Sequence, residues 1–391
     1  MIGRLLAPAL TEATKSVLLL GPRQTGKSTL IRALRPELEI NLARESEFLR
    51  FAANPDELEE RMSAVSATTV FIDEIQRMPA LINTVQALLD DAKHENRRLK
   101  FYLTGSSAPR LKRGHANLLP GRIFSFQLGP LTTAELGGTL DVERAMELGT
   151  LPEPYLASSV SEASKLLDSY AGTYLREEIQ TESLSRNILG FSRFLGFVAA
   201  HSGQTLDISK LSTKAKVSRT SATRYFELLE DTLIVHRIPP YLDAKTDMVK
   251  HPRFYIFDTG VLNGLLGNFK ASSDRRGMLF EHVVVSQLLS TAMAFDRRLE
   301  VSTFRTRGGL EVDFIAKLEN AYWAIEAKSS SDIDGADSRP LIAARDYLPP
   351  GTKLVVVGPN VKPRKLKNGV DIMPLSQLLH AIFAGTPSGD G

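Results

Sequence analysis

The sequence predicts an α/β protein built from more than one domain. Near the N-terminus a strand pattern, a glycine-rich loop and a helical pattern follow one another, and near the C-terminus the patterns run in the order α-β-β-β-α-β. The length of 391 residues also exceeds what one hydrophobic core usually supports. We therefore expect several domains, each with its own secondary structure.

The composition narrows the possible classes of protein. Hydrophobic residues make up 43% and charged residues 24% of the chain, as in ordinary globular proteins. No apolar run reaches the roughly 18 residues that a membrane span requires, and the N-terminus lacks the pattern of a signal peptide. The absence of cysteine excludes disulfides and cysteine-ligated metal sites, and it fits a cytoplasmic location. A net charge of +3 does not by itself indicate a nucleic-acid-binding protein.

A phosphate-binding loop is the first chemical signal in the chain. It follows the apolar strand pattern of residues 17–20, precedes the helical pattern LIRALRPEL, and consists of Gly21, Pro22, Arg23, Gln24, Thr25, Gly26, Lys27, Ser28 and Thr29. The glycines let backbone N–H groups turn inward around phosphate oxygens, and the start of the helix adds its dipole. Lys27 is expected to reach the β- and γ-phosphates of ATP, and Ser28 to bind Mg²⁺ through its hydroxyl.

Two further strand patterns end in polar residues that suit nucleotide hydrolysis. In VFIDE, Asp73 would hold Mg²⁺ through water, and Glu74 would orient and deprotonate the attacking water. The strand pattern KFYLTGSS ends in Thr104, Ser106 and Ser107, and one of these hydroxyls would sense the γ-phosphate. We favour Ser106, with turn formation as the alternative role for these residues.

Arg122 is a candidate for stabilising the transition state from a neighbouring subunit. It lies between a helix-like stretch and another strand pattern, in LPGRIFSF. An arginine inserted into the ATP site of the next subunit would neutralise charge on the transferring phosphoryl group. An ordinary surface arginine is the alternative.

These motifs together resemble the AAA+ superfamily of ATPases. The segments LLLGPRQTGKSTL, VFIDEIQRMP, FYLTGSS and LPGRIFSFQLGPL are similar to a group of prokaryotic AAA+ ATPases whose C-terminal half is a conserved region of unknown function. The resemblance covers nearly the whole chain. It implies an AAA+ core over residues 1–150 and a helical lid or connector over 151–190. It also implies a homo-oligomeric ring, usually a hexamer, whose ATP sites are shared between subunits.

A winged helix-turn-helix is predicted for residues 191–245. One helix pattern ends near HSGQ, a short helix follows in ISKLSTKAK, a third begins after Ser218, and a strand ends at a pair of prolines. Recognition helices meet DNA at their exposed start, which here offers Arg219, Thr220 and Arg224. Use of the fold as a protein-packing module is the alternative.

The last predicted domain spans residues 246–383 and is followed by a flexible tail over 384–391. Asp313 lies on its second strand pattern, Glu326 and Lys328 on the third, and Glu281 on the preceding helix. On adjacent antiparallel strands the carboxylates can converge on one Mg²⁺ or Mn²⁺, while Lys328 lies on the same face as Glu326. This arrangement resembles the PD-(D/E)xK nuclease superfamily, which implies metal-dependent DNA cleavage assisted by the lysine.

The leading interpretation is an ATP-hydrolysing AAA+ protein that acts on DNA and carries a fused Mg²⁺-dependent nuclease-like domain, an endo- or exodeoxyribonuclease. One alternative is an ATP-dependent switch or DNA-binding regulator whose nuclease fold does not cleave. Another is a protein-remodelling AAA+ machine without a nucleic-acid role. The presence of Glu281, Asp313, Glu326 and Lys328 in the expected order favours the leading interpretation.

Overall fold

The structure is a computed structural model that describes residues 2–106, 121–174, 187–241 and 248–383. Ser107, one of the candidate sensors, and the predicted tail 384–391 lie outside the described residues. In the described part, no helix is both long enough and apolar enough to cross a lipid bilayer.

The chain divides into two compact units. The first unit comprises Met1–Gly129 together with the short segments Asp231–Leu233 and Met293–Asp296. The second unit comprises Pro130–Glu230, Ile234–Ala292 and Arg297–Gly391.

The first unit is built on a parallel sheet. Its strands are β1 (Ser16–Leu20), β2 (Leu38–Asn41), β3 (Thr69–Asp73), β4 (Lys100–Gly105) and β5 (Ile123–Gln127). They lie in the order β2-β3-β4-β1-β5, and every neighbouring pair is parallel. The helices of this unit are α1 (Ala7–Glu12), α2 (Lys27–Ala33), α3 (Glu45–Ala53), α4 (Glu57–Val65) and α5 (Leu81–His94).

Both faces of this sheet are buried, as is usual for parallel sheets. Every residue of β1 is buried, and alternate residues enter different hydrophobic clusters. Leu18 and Leu20 belong to one cluster, and Val17 and Leu19 to the other. Because the strands run parallel, the carboxyl ends of β1, β3 and β4 meet at one edge, where ligands of open α/β sheets bind.

The second unit begins with helices and ends with a mixed sheet. The helices that lie wholly or mainly in it are α6 (Val142–Leu148), α7 (Pro152–Leu156), α8 (Val160–Ser169), α9 (Ile188–Ala200), α10 (Ile208–Ala215), α11 (Arg219–Asp231), α12 (Thr259–Leu266), α13 (Arg276–Ala294), α14 (Arg339–Ala344) and α15 (Leu375–Phe383). A π-helical turn, Tyr170–Tyr174, directly follows α8.

Helices α9, α10 and α11 pack together beside a two-stranded antiparallel sheet of β6 (Val235–Ile238) and β7 (Arg253–Ile256). Ser218 caps α11, as the sequence predicts, because its hydroxyl accepts the N–H of Ser221 at 3.1 Å. The aromatic ring of Tyr225 packs against Phe191 and Phe194, with ring centroids 5.2 and 5.6 Å apart. These contacts pack α11 against α9.

The C-terminal sheet follows α13. Its strands are β8 (Leu299–Arg305), β9 (Glu311–Leu318), β10 (Ala321–Ala327), β11 (Lys353–Gly358), β12 (Arg364–Lys365) and β13 (Asp371–Pro374). Strands β8, β9 and β10 are antiparallel neighbours, whereas β11 pairs parallel with β10. With α14 between β10 and β11, the elements follow the predicted order α-β-β-β-α-β.

One hydrophobic cluster runs through most of the second unit. Its buried members extend from Val142 on α6 to Phe383 on α15 and include Phe226, Phe280 and Phe314. The cluster therefore includes residues from all four of the regions predicted over 1–150, 151–190, 191–245 and 246–383.

Candidate functional site

The loop after β1 turns tightly at two glycines. A side chain at Gly21 is excluded, because its Cβ atom would lie 2.3 Å from the carbonyl oxygen of Leu128. Gly26 precedes α2 with φ of 90°, a left-handed conformation that glycine adopts without strain. These two glycines let the chain turn tightly between a buried strand and a helix.

Lys27 is the buried cation of this loop. It is 5% exposed, and its Nζ atom donates to the carbonyl oxygens of Gly21 and Pro22 at 2.9 and 2.8 Å. The ammonium group thus points back across the loop. Thr25 is also buried and donates to the Pro22 carbonyl at 2.9 Å, whereas Thr29 is exposed.

The two predicted Mg²⁺ residues of the loop and β3 lie in contact. Ser28 Oγ donates to Asp73 Oδ1 at 2.9 Å, and Asp73 is 5% exposed at the carboxyl end of its strand. Thr104, on the neighbouring strand β4, donates to the same carboxylate oxygen at 2.5 Å. The structure thereby brings Ser28 and Asp73 together and adds Thr104 as a residue that orients the carboxylate.

Glu74 and Ser106 are joined through a residue that the sequence analysis did not identify. The Nε2 group of Gln76 donates to Glu74 Oε2 at 2.5 Å and to Ser106 Oγ at 3.1 Å. Glu74 has a φ of 59°, an uncommon conformation for a residue with a side chain. Such outliers concentrate at functional sites.

Arg122 forms an ion pair within its own chain. Its Nε atom lies 2.6 Å from Asp90 Oδ1, and one terminal nitrogen lies 3.0 Å from Asp90 Oδ2. The same hydrogen bonds lower the pKa of the Asp90 carboxyl. An arginine that acts in a neighbouring subunit would have to leave this partner.

A second polar site lies on the C-terminal sheet. Ile325 pairs with Phe314 in the antiparallel register of β9 and β10, which places Glu326 opposite Asp313. The N–H of Ala327 donates to Asp313 Oδ2 at 2.8 Å, and Lys328 Nζ donates to Glu326 Oε1 at 2.8 Å. The strand order therefore brings the predicted carboxylates and the lysine together.

Glu281 reaches this site from α13 and is held by β7. Tyr255 donates its hydroxyl to Glu281 Oε1 at 2.5 Å, and a guanidinium nitrogen of Arg253 lies 3.3 Å from the same oxygen. Arg253 also pairs with Glu311 on β9. Neither Arg253 nor Tyr255 is predicted from the sequence as part of this site. We call Glu281, Asp313 and Glu326 the carboxylate cluster.

The carboxylate cluster favours protonation. Burial and the neighbouring Asp313 raise the pKa of both Glu281 and Glu326 to about 7, and burial also raises the pKa of Asp313. Glu326 is 7% exposed, and within the described part of the chain its Oε2 atom has no hydrogen-bond partner. A buried carboxylate oxygen without a donor is costly, and a cation or a proton would compensate it.

The metal site predicted at Glu281, Asp313 and Glu326 stays a prediction, which the arrangement of the described side chains does not support. Among the residues that the structure describes, no three histidine, aspartate or glutamate side chains are grouped so that they could hold a metal ion. The reason is local: Glu281 is turned toward Arg253 and Tyr255, and Glu326 toward Lys328. Carboxylate oxygens are the ligands that a hard divalent cation prefers, but these carboxylates are not arranged so that they could bind such a cation together.

The predicted DNA-contacting residues lie at the start of α11. Arg219, Thr220 and Arg224 are all exposed on this helix. The start of the helix is thus accessible, and its buried face is formed by other residues such as Tyr225 and Phe226.

Comparison with known protein families divides the chain into three regions. Residues 13–137 match the model of an AAA domain. Residues 139–272 and 276–378 match two domains of unknown function, DUF8612 and DUF4143. The uncharacterised proteins Mb2031c of Mycobacterium bovis and Rv2008c of Mycobacterium tuberculosis are each 28% identical over 325 residues, covering 81% of this chain and 70% of the relative.

Two solved structures that align with the chain show a distant likeness. The Orc1 protein of Aeropyrum pernix, solved in complex with DNA, aligns with a TM-score of 0.30 at 13% identity over 67% of this chain and 89% of that chain. Protein VC1899 of Vibrio cholerae aligns with a TM-score of 0.24 at 10% identity over 94% and 98% of the two chains. These scores are too low to establish a shared overall fold. The family match and the loop geometry together identify residues 13–137 as an AAA domain.

Proposed function

We propose that the first unit binds ATP with Mg²⁺ and hydrolyses it. The observation that carries this proposal is the contact of Ser28 and Thr104 with one oxygen of Asp73, beside the buried Lys27. A loop hydroxyl and a strand-end carboxylate in contact are the ligands that a nucleotide-bound Mg²⁺ uses, and Mg²⁺ neutralises charge on the transferring phosphoryl group. Glu74 is the base for the attacking water, and Ser106 is linked to it through Gln76.

Lys27→Ala tests this proposal. We expect the affinity for ATP to fall by about 10- to 150-fold, because a hydrogen bond to a charged group contributes about 1.5–3 kcal/mol. Titration with a fluorescent ATP analogue in the presence of Mg²⁺ measures the change. Lys93→Ala, at an exposed lysine of the same unit, is the matched control. Equal affinity in Lys27→Ala and the control would contradict the proposed role of the loop.

We further propose that the active form is a homo-oligomer, a hexameric ring, in which Arg122 acts in the site of the next subunit. Arg122→Ala should then bind ATP but hydrolyse it slowly. Mixing it with Glu74→Gln subunits should restore part of the activity, because a mixed interface combines an intact Glu74 with an intact Arg122. Phosphate release and molecular mass across a dilution series measure this. A monomeric mass with constant specific activity throughout the series would contradict it.

The exposed start of α11 supports a proposal of DNA binding by a winged helix formed by α9–α11 with β6 and β7. Changing Arg219 and Arg224 to Ala should weaken duplex binding and reduce the salt slope by about 0.9 for each lost phosphate contact. Fluorescence anisotropy at several salt concentrations measures the slope, with Arg298→Ala, at another exposed arginine, as the control. An unchanged slope would leave these helices with a packing role.

DNA cleavage is a second candidate function, which the contact of Lys328 with Glu326 opposite Asp313 favours. In this proposal the C-terminal sheet is a nuclease-like site, and ATP-driven changes in the ring control the access of DNA to it. The rival proposal is a DNA-binding regulator or switch whose nuclease-like fold does not cleave. The position of Arg253 beside Glu281 is compatible with both the cleaving and the non-cleaving proposal.

A further inference from the structure

Gln76 is a buried amide that contacts polar residues from the carboxyl ends of β3 and β4. It lies in a single short helical turn, Ile75–Arg77, directly after Glu74, and it is 4% exposed. Its Nε2 group donates to Glu74 Oε2 at 2.5 Å and to Ser106 Oγ at 3.1 Å. A carboxylate oxygen only accepts hydrogen bonds, so the nitrogen of the amide must face Glu74. The two hydrogens of this one nitrogen therefore serve Glu74 and Ser106.

The carbonyl oxygen of the same side chain faces the backbone of β4. A Cβ atom at Gly105 would lie 2.7 Å from Gln76 Oε1, so glycine leaves room for the amide in this position. Oε1 is buried, and in the described part of the chain it has no hydrogen-bond partner. A buried carbonyl oxygen without a donor is costly, and an apolar side chain of the same size would avoid that cost. Packing alone therefore does not explain a glutamine at this position.

We propose that Gln76 is a positioning residue for ATP hydrolysis, which holds the Glu74 carboxylate toward the attacking water and links its orientation to Ser106. The inference rests on the proposed function of Glu74 as the base. Because Gln76 donates to Oε2 of Glu74, the other oxygen, Oε1, accepts the proton of the water. The water oxygen bonds to the γ-phosphorus, and the bond from this phosphorus to the oxygen that bridges to the β-phosphate breaks.

The conformation of Glu74 shows why its side chain needs such a support. A φ of 59° is unfavourable for glutamate, and conformations of this kind persist where the surrounding structure determines them. The carbonyl oxygen of Glu74 accepts the N–H of Arg77 at 2.9 Å, which holds the backbone. The amide of Gln76 holds the carboxylate. Fixing the rotatable bonds of the base before the reaction lowers the entropic part of the barrier.

Gln76→Met tests the amide with little change in side-chain volume. We expect kcat for ATP hydrolysis to fall by about 10- to 100-fold, since a misplacement of about 1 Å can cost about 100-fold, and the Kd of the ATP analogue to stay unchanged. In a Glu74→Gln background the same substitution should have no further effect, because Gln76 acts through Glu74. Single-turnover phosphate release measures these rates. Equal fold losses in both backgrounds, or faster hydrolysis in Gln76→Met, would overturn the inference.

Gly105→Ala displaces the amide without changing Gln76, and it serves as a second variant in case the methionine disturbs folding. Gly105 does not have a positive φ, and its added Cβ atom would meet the end of a flexible side chain, so alanine fits the strand once the amide moves. We expect kcat to fall and ATP binding to persist. Gly3→Ala is the matched control, because its Cβ atom would have no described atom within 4 Å. Equal rates in the two alanine variants would contradict the positioning role.

The link to Ser106 is tested by a double-mutant cycle. Ser106→Ala and Gln76→Met together should reduce kcat by less than the product of their separate effects, because each removes the same connection. Separate effects that multiply would overturn this link. A parent protein that does not hydrolyse ATP would overturn the proposed function and the inference together. An active parent protein in which Gln76→Met acts equally with and without Glu74 would overturn the inference alone.

Discussion

Glu74→Gln should bind ATP as tightly as the parent protein and hydrolyse it at least about 100-fold more slowly, the loss expected when a positioned base is removed. The substitution keeps the size of the side chain and its place after β3 but removes the group that accepts a proton from water. Gln76 and Ser106 would remain beside it, so the site should keep its shape. Phosphate release under saturating ATP measures the effect.

A control variant and a measurement of ATP binding accompany the comparison of phosphate release between Glu74→Gln and the parent protein. Glu12→Gln removes an exposed carboxylate of the same unit and should hydrolyse ATP at the parent rate. Retained binding of the ATP analogue in Glu74→Gln separates loss of chemistry from loss of the site. An unchanged rate of phosphate release would remove Glu74 from the role of base and direct attention to other polar groups at this edge of the sheet.

Asp313→Ala should abolish DNA cleavage and leave ATP hydrolysis near the parent rate, because the two sites lie in separate units. The variant should fold, since Asp313 carries a raised pKa caused by burial and its removal relieves repulsion within the carboxylate cluster. Lys328→Ala should cleave poorly for a different reason, the loss of a cation near the reacting phosphate. Linear, single-stranded, forked and four-way DNA with Mg²⁺ or Mn²⁺, with and without ATP, form the assay.

Glu300→Ala, at an exposed glutamate of the neighbouring strand β8, controls for loss of surface charge. Cleavage that persists in Asp313→Ala at the rate of this control would point to another site or to a contaminating nuclease. A parent protein that cuts none of these forms of DNA would favour the regulator that binds without cleaving.

The sequence predicts those parts of the sites that depend on neighbours along the chain. The phosphate loop is one continuous segment between a strand and a helix, so its glycines, lysine and serine can be read without knowing the fold. Similarly, β9 and β10 are joined by a short turn, and the turn fixes which residues of the hairpin oppose each other. The opposition of Asp313 and Glu326 follows from that register.

Partners that come from distant segments could not be predicted in this way. Arg253 and Tyr255 precede Glu281 by 28 and 26 positions. They lie on β7, which does not belong to the sheet that carries Asp313 and Glu326. No periodicity in the sequence links them to the carboxylate cluster. The sequence makes Thr104 a candidate γ-phosphate sensor, but its hydrogen bond to Asp73 depends on the order of β3 and β4 in the sheet. The pairing of Arg122 with Asp90 likewise needs the packed structure.

The continuous hydrophobic cluster of the second unit has a consequence for synthesis on the ribosome. The sheet of the first unit uses strands from within the first 127 residues, so its local partners emerge early. The core of the second unit includes Phe383, and helix α15 completes it. The apolar surfaces of this core therefore stay partly exposed to solvent until translation is almost finished. During that interval the nascent chain would depend on chaperones, and a stop codon that removes only α15 would leave the second unit prone to aggregation although both polar sites are encoded intact.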